Sequence, residues 1–156
     1  MRKRRTYTVE EAMRTLEGYC AFQERSHQEV EKKLAAMQLI PAAKEQIISH
    51  LLQQDFLNEE RFAKSYVRGK FSQKKWGRIK IVQGLKRRQI SSYNIQTALK
   101  EIDENTYLDT LKTLADKKWP LIRETDVYKK RNKLSRFLLS KGYESTLVYK
   151  EVEGFV

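Results

Sequence analysis

Cysteine, histidine, proline and glycine are all scarce in this sequence of 156 residues, which has one Cys, two His, two Pro and six Gly. So little turn chemistry, together with the lack of strict period-two alternation, argues against a fold of many strands and predicts an all-α protein. The single cysteine, Cys20, excludes an internal disulfide and indicates a reducing compartment. Because Tyr19 and Ala21 flank it in an apolar helical pattern, we expect a packed thiol rather than a nucleophile.

The chain also lacks a long apolar run. No segment approaches the roughly 20 apolar residues of a membrane span. The basic start MRKRR is followed by TYTVEEAMRT, where a secretory peptide needs an apolar stretch. We therefore expect a soluble, cytoplasmic protein with no membrane partner. The hydrophobic fraction of 40% is sufficient to fill a core and argues against a fully disordered chain.

The residue types that serve catalysis and metal binding do not form a recognisable constellation. His27 and His50 are isolated from each other, and with one Cys they do not make an ordinary structural zinc site. The glycines occur singly, so no Gly-rich phosphate loop follows a strand. The sequence therefore predicts no enzyme, no metal site and no cofactor.

One acidic group is the candidate for a metal-dependent nuclease site. It consists of Asp55, Glu59 and Glu60. A structural explanation covers the same residues, because Asn58 is a good N-cap and acidic residues in the first helical turn complement the helix dipole. We favour this explanation.

Positive charge is what the sequence has in excess. Lys and Arg number 32 against 20 Asp and Glu, which gives a formal net charge of +12. No acidic residue occurs from Arg61 to Lys100, and the apolar residues between the cations recur at spacings of three and four. This pattern is typical of amphipathic helices with a cationic face. Such a surplus favours nucleic acid, an acidic protein surface or anionic lipid as partner.

Helical-wheel positions select candidate binding residues within this basic region. At about 100° per residue, Lys80 and Arg87 lie nearly opposite the apolar arc of their helix. Trp76 and Tyr93 are able to stack on bases, although aromatic residues at helix ends more often fill gaps between neighbouring elements. The predicted partner-binding or nucleic-acid-binding residues are the cations of this region and of a second basic cluster: Lys74, Lys75, Arg78, Lys80, Lys86, Arg87, Arg88, Lys129, Lys130, Arg131 and Lys133.

An internal repeat organises the predicted helices. Residues 26–29, Ser-His-Gln-Glu, have the spacing of a capping box, and Pro41 suits the first turn of a helix. A shift of 51 residues and then of 53 superposes apolar positions and helix starts: Val30, Ile81 and Leu134; Leu34, Leu85 and Leu138; Pro41, Ser92 and Ser145. Self-similarity at a fixed period indicates a repeat array. We predict three tandem three-helix repeats, with a basic tail at 1–5 and repeats at 6–57, 58–103 and 104–156.

Three passages of the chain carry more specific motifs. They are residues 19–26 (YCAFQERS) with Glu29, Val30 and Leu34; residues 55–63 (DFLNEERFA); and residues 75–79 (KWGRI) with Leu85, Gln89 and Ile90. These passages resemble the RecX family, bacterial regulators of the recombinase RecA. The second is similar to the family's acidic-Arg-Phe-Ala entry to its second unit, and the third to a basic-Gly-x-x-Ile segment that ends in Leu and a Gly-Ile pair. The chain departs from this pattern at Gln89, where the family usually has Gly, and at Trp76.

The resemblance implies an elongated, curved array of three-helix units that binds the RecA–DNA filament. The implied effect is inhibition of filament growth, ATP hydrolysis and strand exchange. The expected partners are the RecA filament and single- or double-stranded DNA, and the chain is expected to be a monomer. A stand-alone helical DNA-binding protein remains the alternative, because it would use the same Lys and Arg positions. Dependence on the recombinase discriminates the two hypotheses.

Overall fold

A computed structural model describes residues 6–156, and within that range every regular element is helical. The predicted basic tail at 1–5 lies outside the described residues. In chain order the helices are α1 Val9–Phe22, α2 His27–Ala35, α3 Pro41–Gln53, α4 Glu59–Ser72, α5 Arg78–Arg87, α6 Ser92–Leu99, α7 Glu104–Lys118, a short 3₁₀ turn at Trp119–Leu121, α8 Val127–Ser140 and α9 Ser145–Val152. The all-α prediction is confirmed.

The helix starts follow from local sequence. Ser26 caps α2, since its Oγ accepts from the backbone N–H of Glu29 at 3.1 Å. Pro41 opens α3, and the Oδ1 of Asn58 accepts from the backbone N–H of Arg61 at 2.9 Å to cap α4. These three starts are as predicted, because each satisfies or avoids a backbone donor that a helix leaves free.

The capping box at 26–29 is only half formed. Its second half requires the Glu29 carboxylate to reach back to the amide of residue 26. That carboxylate instead lies 3.9 Å from Arg25 and 3.8 Å from Arg88. Two cations nearby therefore draw Glu29 away from its own helix start.

Three tandem three-helix units are confirmed, made of α1–α3, α4–α6 and α7–α9. The superposed apolar positions are all fully buried: Val30, Ile81, Leu134, Leu34, Leu85 and Leu138. The turn between the second and third helix of each unit also repeats, with a residue of positive φ at Gln38, Gln89 and Gly142. Each unit thus uses one buried stripe per helix and one left-handed turn. The predicted unit limits at 57/58 and 103/104 fall between α3 and α4 and between α6 and α7, and they stay predictions.

The interior is divided unequally between the units. Buried apolar residues of α1–α3 and the following Leu57 form one cluster, while those of α4–α9 form a second, continuous cluster. Cys20 belongs to the first cluster, and burial raises the pKa of its thiol, as expected for a packed rather than a reactive cysteine. The second and third units therefore share a core, and the first unit has its own.

The second and third units meet through backbone at very short range. The N–H of Gly77 donates to the carbonyl of Lys141 at 2.8 Å, and the N–H of Ile79 donates to the carbonyl of Gly142 at 2.9 Å. A Cβ at Gly77 would overlap the backbone of Gly142. Glycine is required at Gly77 because the two chains approach too closely for any side chain.

Polar contacts join the first unit to the second. Arg61 donates from Nε to Glu24 at 2.6 Å and from Nη1 to Asp55 at 2.9 Å. Burial opposes the charge of Arg61, but the two carboxylates outweigh it and raise the pKa of its guanidinium. A second contact links Arg88 of α5 to Glu29 of α2 at 3.8 Å. Ionic contacts, rather than a shared core, thus position the first unit.

Candidate cationic binding surface

Arg78, one of the predicted binding residues, lies in the junction between the second and third units. Its Nη1 donates to Glu144 at 2.8 Å, its Nη2 contacts Glu104, and its guanidinium carbon lies 3.9 Å from the ring centroid of Tyr107. Burial opposes the charge of Arg78, but the two carboxylates outweigh it and raise the pKa of the guanidinium. Arg78 is therefore engaged in holding the two units together, and the candidate surface does not include it.

The second basic cluster, at the start of α8, is partly engaged within its own unit. The Nζ of Lys130 lies 4.3 Å from a ring centroid of Trp119. The Nε of Arg131 donates to the carbonyl of Phe155 at 2.6 Å. Lys130 thus packs on the half-buried Trp119, and Arg131 holds the C-terminal end of the chain against α8.

Two further lysines of this cluster differ in their surroundings. Lys133 lies 3.0 Å from Glu124, and this contact lowers the pKa of the Glu124 carboxyl. Lys129 is exposed, and no described carboxylate lies within ion-pair distance of it. Of the four predicted residues on α8, only Lys129 therefore retains an unengaged charge.

The cations of the second unit have a different arrangement, because they line a groove between α4 and α5. A cavity of about 210 Å³ forms one part of this α4–α5 groove, and its lining consists of Tyr66, Lys70, Trp76, Lys80, Gln83, Gly84, Arg87 and Arg88. A second cavity of about 190 Å³ extends the groove along α4 and the turn that follows it, and its lining consists of Ser65, Tyr66, Gly69, Lys70, Gln73 and Lys74. Neither lining contains a carboxylate, so the groove concentrates positive charge.

Aromatic rings position the ammonium groups of the groove. The Nζ of Lys80 lies 4.5 Å from a ring centroid of Trp76. Lys70 reaches both rings, with its Nζ 4.9 Å from Trp76 and 5.5 Å from Tyr66. Cation–π attraction at these distances restrains long, flexible lysine side chains. Trp76 thus acts as a support for cations as well as a filler between α4 and α5.

Tyr66 occupies the floor of the groove because α5 has a glycine opposite it. A Cβ at Gly84 would overlap the Tyr66 hydroxyl. Burial raises the pKa of the Tyr66 hydroxyl, which the nearby charges of Arg88 and Arg87 oppose. The phenol is therefore neutral at physiological pH and leaves the positive charge of the groove uncompensated.

The C-terminal turn of α5 carries three consecutive cations with different exposures. Lys86 and Arg87 are exposed, and no described carboxylate lies within ion-pair distance of either. Arg88 is half-buried, with its Nη1 donating to the carbonyl of Gly84 at 3.0 Å and its guanidinium carbon 4.9 Å from the ring centroid of Tyr66. Arg88 supports the groove and the contact with the first unit, whereas its two neighbours present free charge.

The cations before α5 lie in the turn that leaves α4. Lys74 and Lys75 are both exposed. Lys75 has a positive φ of 59°, and its carbonyl accepts from the hydroxyl of Tyr143 at 2.7 Å. The turn is therefore fixed by the third unit, and the Lys74 side chain lines the smaller cavity of the groove.

The residues that form the floor of the groove and add a further cation to it, Tyr66 and Lys70, were not among the predicted binding residues. Tyr66 follows the apolar stripe of α4, which hides its part in the groove. Lys70 is the other, and its spacing of four residues from Tyr66 was the available signal, because side chains at i and i+4 share one helix face.

The acidic residues considered as a nuclease site are separately engaged. Asp55 lies 2.9 Å from Arg61, Glu60 lies 3.0 Å from Lys64, and the Glu59 carboxylate accepts from Asn94. Among residues 6–156, no three His, Cys, Asp or Glu side chains are grouped so as to hold a metal ion. Nor does any described helix have the length and apolar character needed to cross a membrane.

Comparison with known proteins identifies relatives of the chain. The family models described as "RecX, second three-helix domain" and "RecX, third three-helix domain" match residues 58–99 and 105–151. The regulatory protein RecX of Clostridium perfringens is 34% identical over 122 residues, which cover 77% of this chain and 57% of the relative. That of Bacillus mycoides is 25% identical over 131 residues, which cover 84% of this chain and 48% of the relative. The chain thus spans about half the length of these curated relatives.

Solved structures share the fold. The crystal structure of RecX from Lactobacillus salivarius superposes with a TM-score of 0.83, covering 93% of this chain and 94% of that one, at 24% identity. A crystal structure of regulatory protein RecX superposes with a TM-score of 0.79, covering 93% of this chain and 74% of that one, at 23% identity. At this level of identity the likeness concerns the arrangement of helices alone.

Proposed function

The chain belongs to the RecX family, and on that premise we propose that it binds RecA–DNA filaments and inhibits the recombinase. Inhibition covers filament growth, ATP hydrolysis and strand exchange. The protein acts as a passive binding module in this proposal, with no reactive centre and no cofactor.

The observation that carries the proposal is the unengaged positive charge of the second unit. Cations that face other units, such as Arg78 and Arg61, are neutralised by carboxylates of the same chain. On α5, the exposed Arg87 and the half-buried Lys80 line the groove, and neither has a described carboxylate within ion-pair distance. A filament of protein and DNA offers phosphates and acidic side chains in a regular array, and such a partner compensates this charge.

ATP hydrolysis by RecA on single-stranded DNA, measured with and without this protein, tests the proposal. Charge reversal in the double variant Lys80→Glu/Arg87→Glu should raise the concentration needed for half-inhibition at least about tenfold, because two attractive contacts become repulsive. Helix content by circular dichroism should be unchanged, since Arg87 is exposed and Lys80, although half-buried, places its ammonium group over the Trp76 ring and not in the apolar core.

A matched control is available in Lys32→Glu/Arg123→Glu. Both residues are exposed, and the net charge changes by the same amount. This control should inhibit like the unaltered protein. Full inhibition by the Lys80→Glu/Arg87→Glu variant would place the contact surface elsewhere, and no inhibition by the unaltered protein would reject the proposed function.

The alternative is a stand-alone helical DNA-binding protein, and the absence of carboxylates from the α4–α5 groove favours it. Phosphate contacts alone need no recombinase and give affinity that falls steeply with salt. Tight binding to bare DNA together with unchanged ATP hydrolysis by RecA would establish this alternative.

A further inference from the structure

We propose that the α4–α5 groove holds the sugar–phosphate backbone of a single nucleic-acid strand, without reading its bases. The inference rests on the proposed function and deepens it, since it names the component of the filament that this groove contacts. Four features of the groove carry it: charge, length, the use of its aromatic rings and the type of its donors.

The charge of the groove is one-sided. Lys70, Lys74, Lys80 and Arg87 line its two cavities, and none of them has a described carboxylate within ion-pair distance. The chain has no acidic residue from 61 to 100. Carboxylates that could neutralise these four cations are therefore absent from α5 and from α4 after its first turn. Four uncompensated cations in two adjacent cavities favour a ligand with several anionic groups.

The length of the groove favours a ligand with several regularly spaced anions. Its two cavities share Tyr66 and Lys70 and are therefore adjacent, with Lys74 in the smaller cavity along α4 and Arg87 in the larger cavity between α4 and α5. A nucleic-acid strand carries one phosphate per nucleotide and matches a line of cations. Packed helix axes are about 8–10 Å apart, so the larger cavity, which α4 and α5 bound, suits one strand backbone rather than both strands of a duplex.

The aromatic rings argue against recognition by base stacking. Ammonium groups lie over the ring of Trp76 at 4.5 Å and 4.9 Å and over that of Tyr66 at 5.5 Å. Arg88 also lies over Tyr66, at 4.9 Å. Rings engaged in this way hold cations in place and do not offer free faces to bases. Binding should therefore be independent of base identity.

The donor type favours contact through charge rather than through a fixed hydrogen-bond geometry, as binding of a strand backbone without base recognition requires. A planar guanidinium binds a carboxylate or a phosphate through two parallel hydrogen bonds of fixed geometry, whereas an ammonium group binds either anion as a point charge. The guanidinium of Arg88 is already used by the carbonyl of Gly84 and by Tyr66. Lysines dominate the rest of the groove, with Arg87 as the one free guanidinium.

The test titrates a dye-labelled oligothymidylate with the isolated protein and follows fluorescence anisotropy at several salt concentrations. The double variant Lys70→Gln/Arg87→Gln should bind roughly tenfold or more weakly. The slope of log K against log salt should fall by about 1.4, which is 0.7 for each of two contacts to a single strand. An oligoadenylate of the same length should give a similar affinity and the same slope.

A control of equal charge is Lys32→Gln/Arg123→Gln, which should keep the slope of the unaltered protein. Lys70 is half-buried. If its substitution reduces helix content, the variant Lys74→Gln/Arg87→Gln replaces it, since both of those residues are exposed. Equal losses in groove and control variants, or no binding of oligothymidylate by the unaltered protein, would overturn the inference.

Inhibition of RecA ATP hydrolysis separates this inference from the proposed function. If the groove variant keeps its affinity and slope for oligothymidylate but loses inhibition, the groove contacts the recombinase itself, and the inference is overturned while the function stands. If the groove variant loses DNA affinity and the unaltered protein does not inhibit RecA, the inference stands and the function fails.

Discussion

Gln89 occupies a backbone conformation that favours glycine. Its φ is 60°, and the residue ends the second helix of the second unit, where the third unit has Gly142 with φ 97°. A side chain in this region costs about 1–2 kcal/mol relative to the right-handed region. The departure from the Gly-Ile pair of the RecX family is therefore a source of strain that the rest of the unit tolerates.

Replacing Gln89 by glycine should consequently stabilise the protein. We expect Gln89→Gly to raise the free energy of unfolding by up to about 1 kcal/mol, because relief of strain exceeds the added entropy of the unfolded chain. Denaturation by urea, followed by circular dichroism, measures this change.

The same substitution in a helix provides the control. Gln96 is exposed within α6, and Gln96→Gly should lower the free energy of unfolding by about 1 kcal/mol. The same Gln-to-Gly substitution should thus raise the free energy of unfolding at position 89 and lower it at position 96. A destabilising Gln89→Gly would mean that contacts of the Gln89 side chain outweigh its backbone strain.

Two residues of the recognised motifs have structural roles that the motifs alone did not indicate. Arg61, in the acidic-Arg-Phe-Ala passage, bridges the first and second units through Glu24 and Asp55. Arg78, beside Gly77, pairs with carboxylates 26 and 66 residues later in the chain. The sequence indicated only that both residues are cationic. Their acidic partners are distant along the chain and come close to them only in the folded protein.

Helices were largely predictable, because their signals are local. Apolar spacing, the caps at Ser26 and Asn58, and Pro41 in the first turn of α3 identified where these helices begin. The outward orientation of Arg87 also followed from the helical wheel. Lys80 is only half-buried rather than fully exposed, since the ring of Trp76 lies beside it. A wheel describes one helix and contains no information on its neighbours.

The junction of α5 with the α8–α9 turn depends on Gly77. We expect Gly77→Ala to lower the free energy of unfolding by roughly 1–3 kcal/mol, because the added methyl group overlaps the backbone of Gly142 and forces the units apart. Thermal or urea denaturation measures the loss.

Gly18 serves as the comparison for this prediction. It lies within α1, and a Cβ there would meet no atom within 4 Å. Gly18→Ala should raise stability by up to about 1 kcal/mol through helix propensity. If Gly77→Ala were equally stabilising, the close approach of the two units would not exist in solution.

A destabilising substitution in one of the two separate cores should increase local unfolding only in the helices that share that core. Leu34 and Leu85 occupy equivalent positions in the repeat, and both are fully buried. Truncation to alanine at either should cost roughly 2–5 kcal/mol. Leu34→Ala should accelerate amide hydrogen exchange in α1–α3 alone, whereas Leu85→Ala should accelerate it throughout α4–α9.

Each of these variants is the control for the other, since residue, burial and repeat position are the same. Faster exchange across all nine described helices in both variants would show that the protein unfolds as one cooperative unit. Protection of α7–α9 in Leu85→Ala would show that the shared core does not couple the last two units.

The sharing of cores was not predictable from the sequence. The repeat treats the three units as equal, with one buried stripe per helix, and this much is confirmed. Which units merge depends on Gly77 and Gly142 at one junction, against Arg61 and Arg88 at the other. The distance between neighbouring units in the folded protein, which the repeat pattern does not encode, therefore decides which units share a core.

The ionic seam at Arg61 and Arg88 gives the molecule uneven stiffness. Buried apolar area resists bending at any ionic strength, whereas partly exposed ion pairs such as these weaken as salt screens them. We therefore expect the second and third units to move as one rigid body, and the first unit to bend relative to them. If the distance between binding sites varies along a partner, bending between the first and second units would let the protein follow it. The α4–α5 groove lies within the second unit and would keep its geometry.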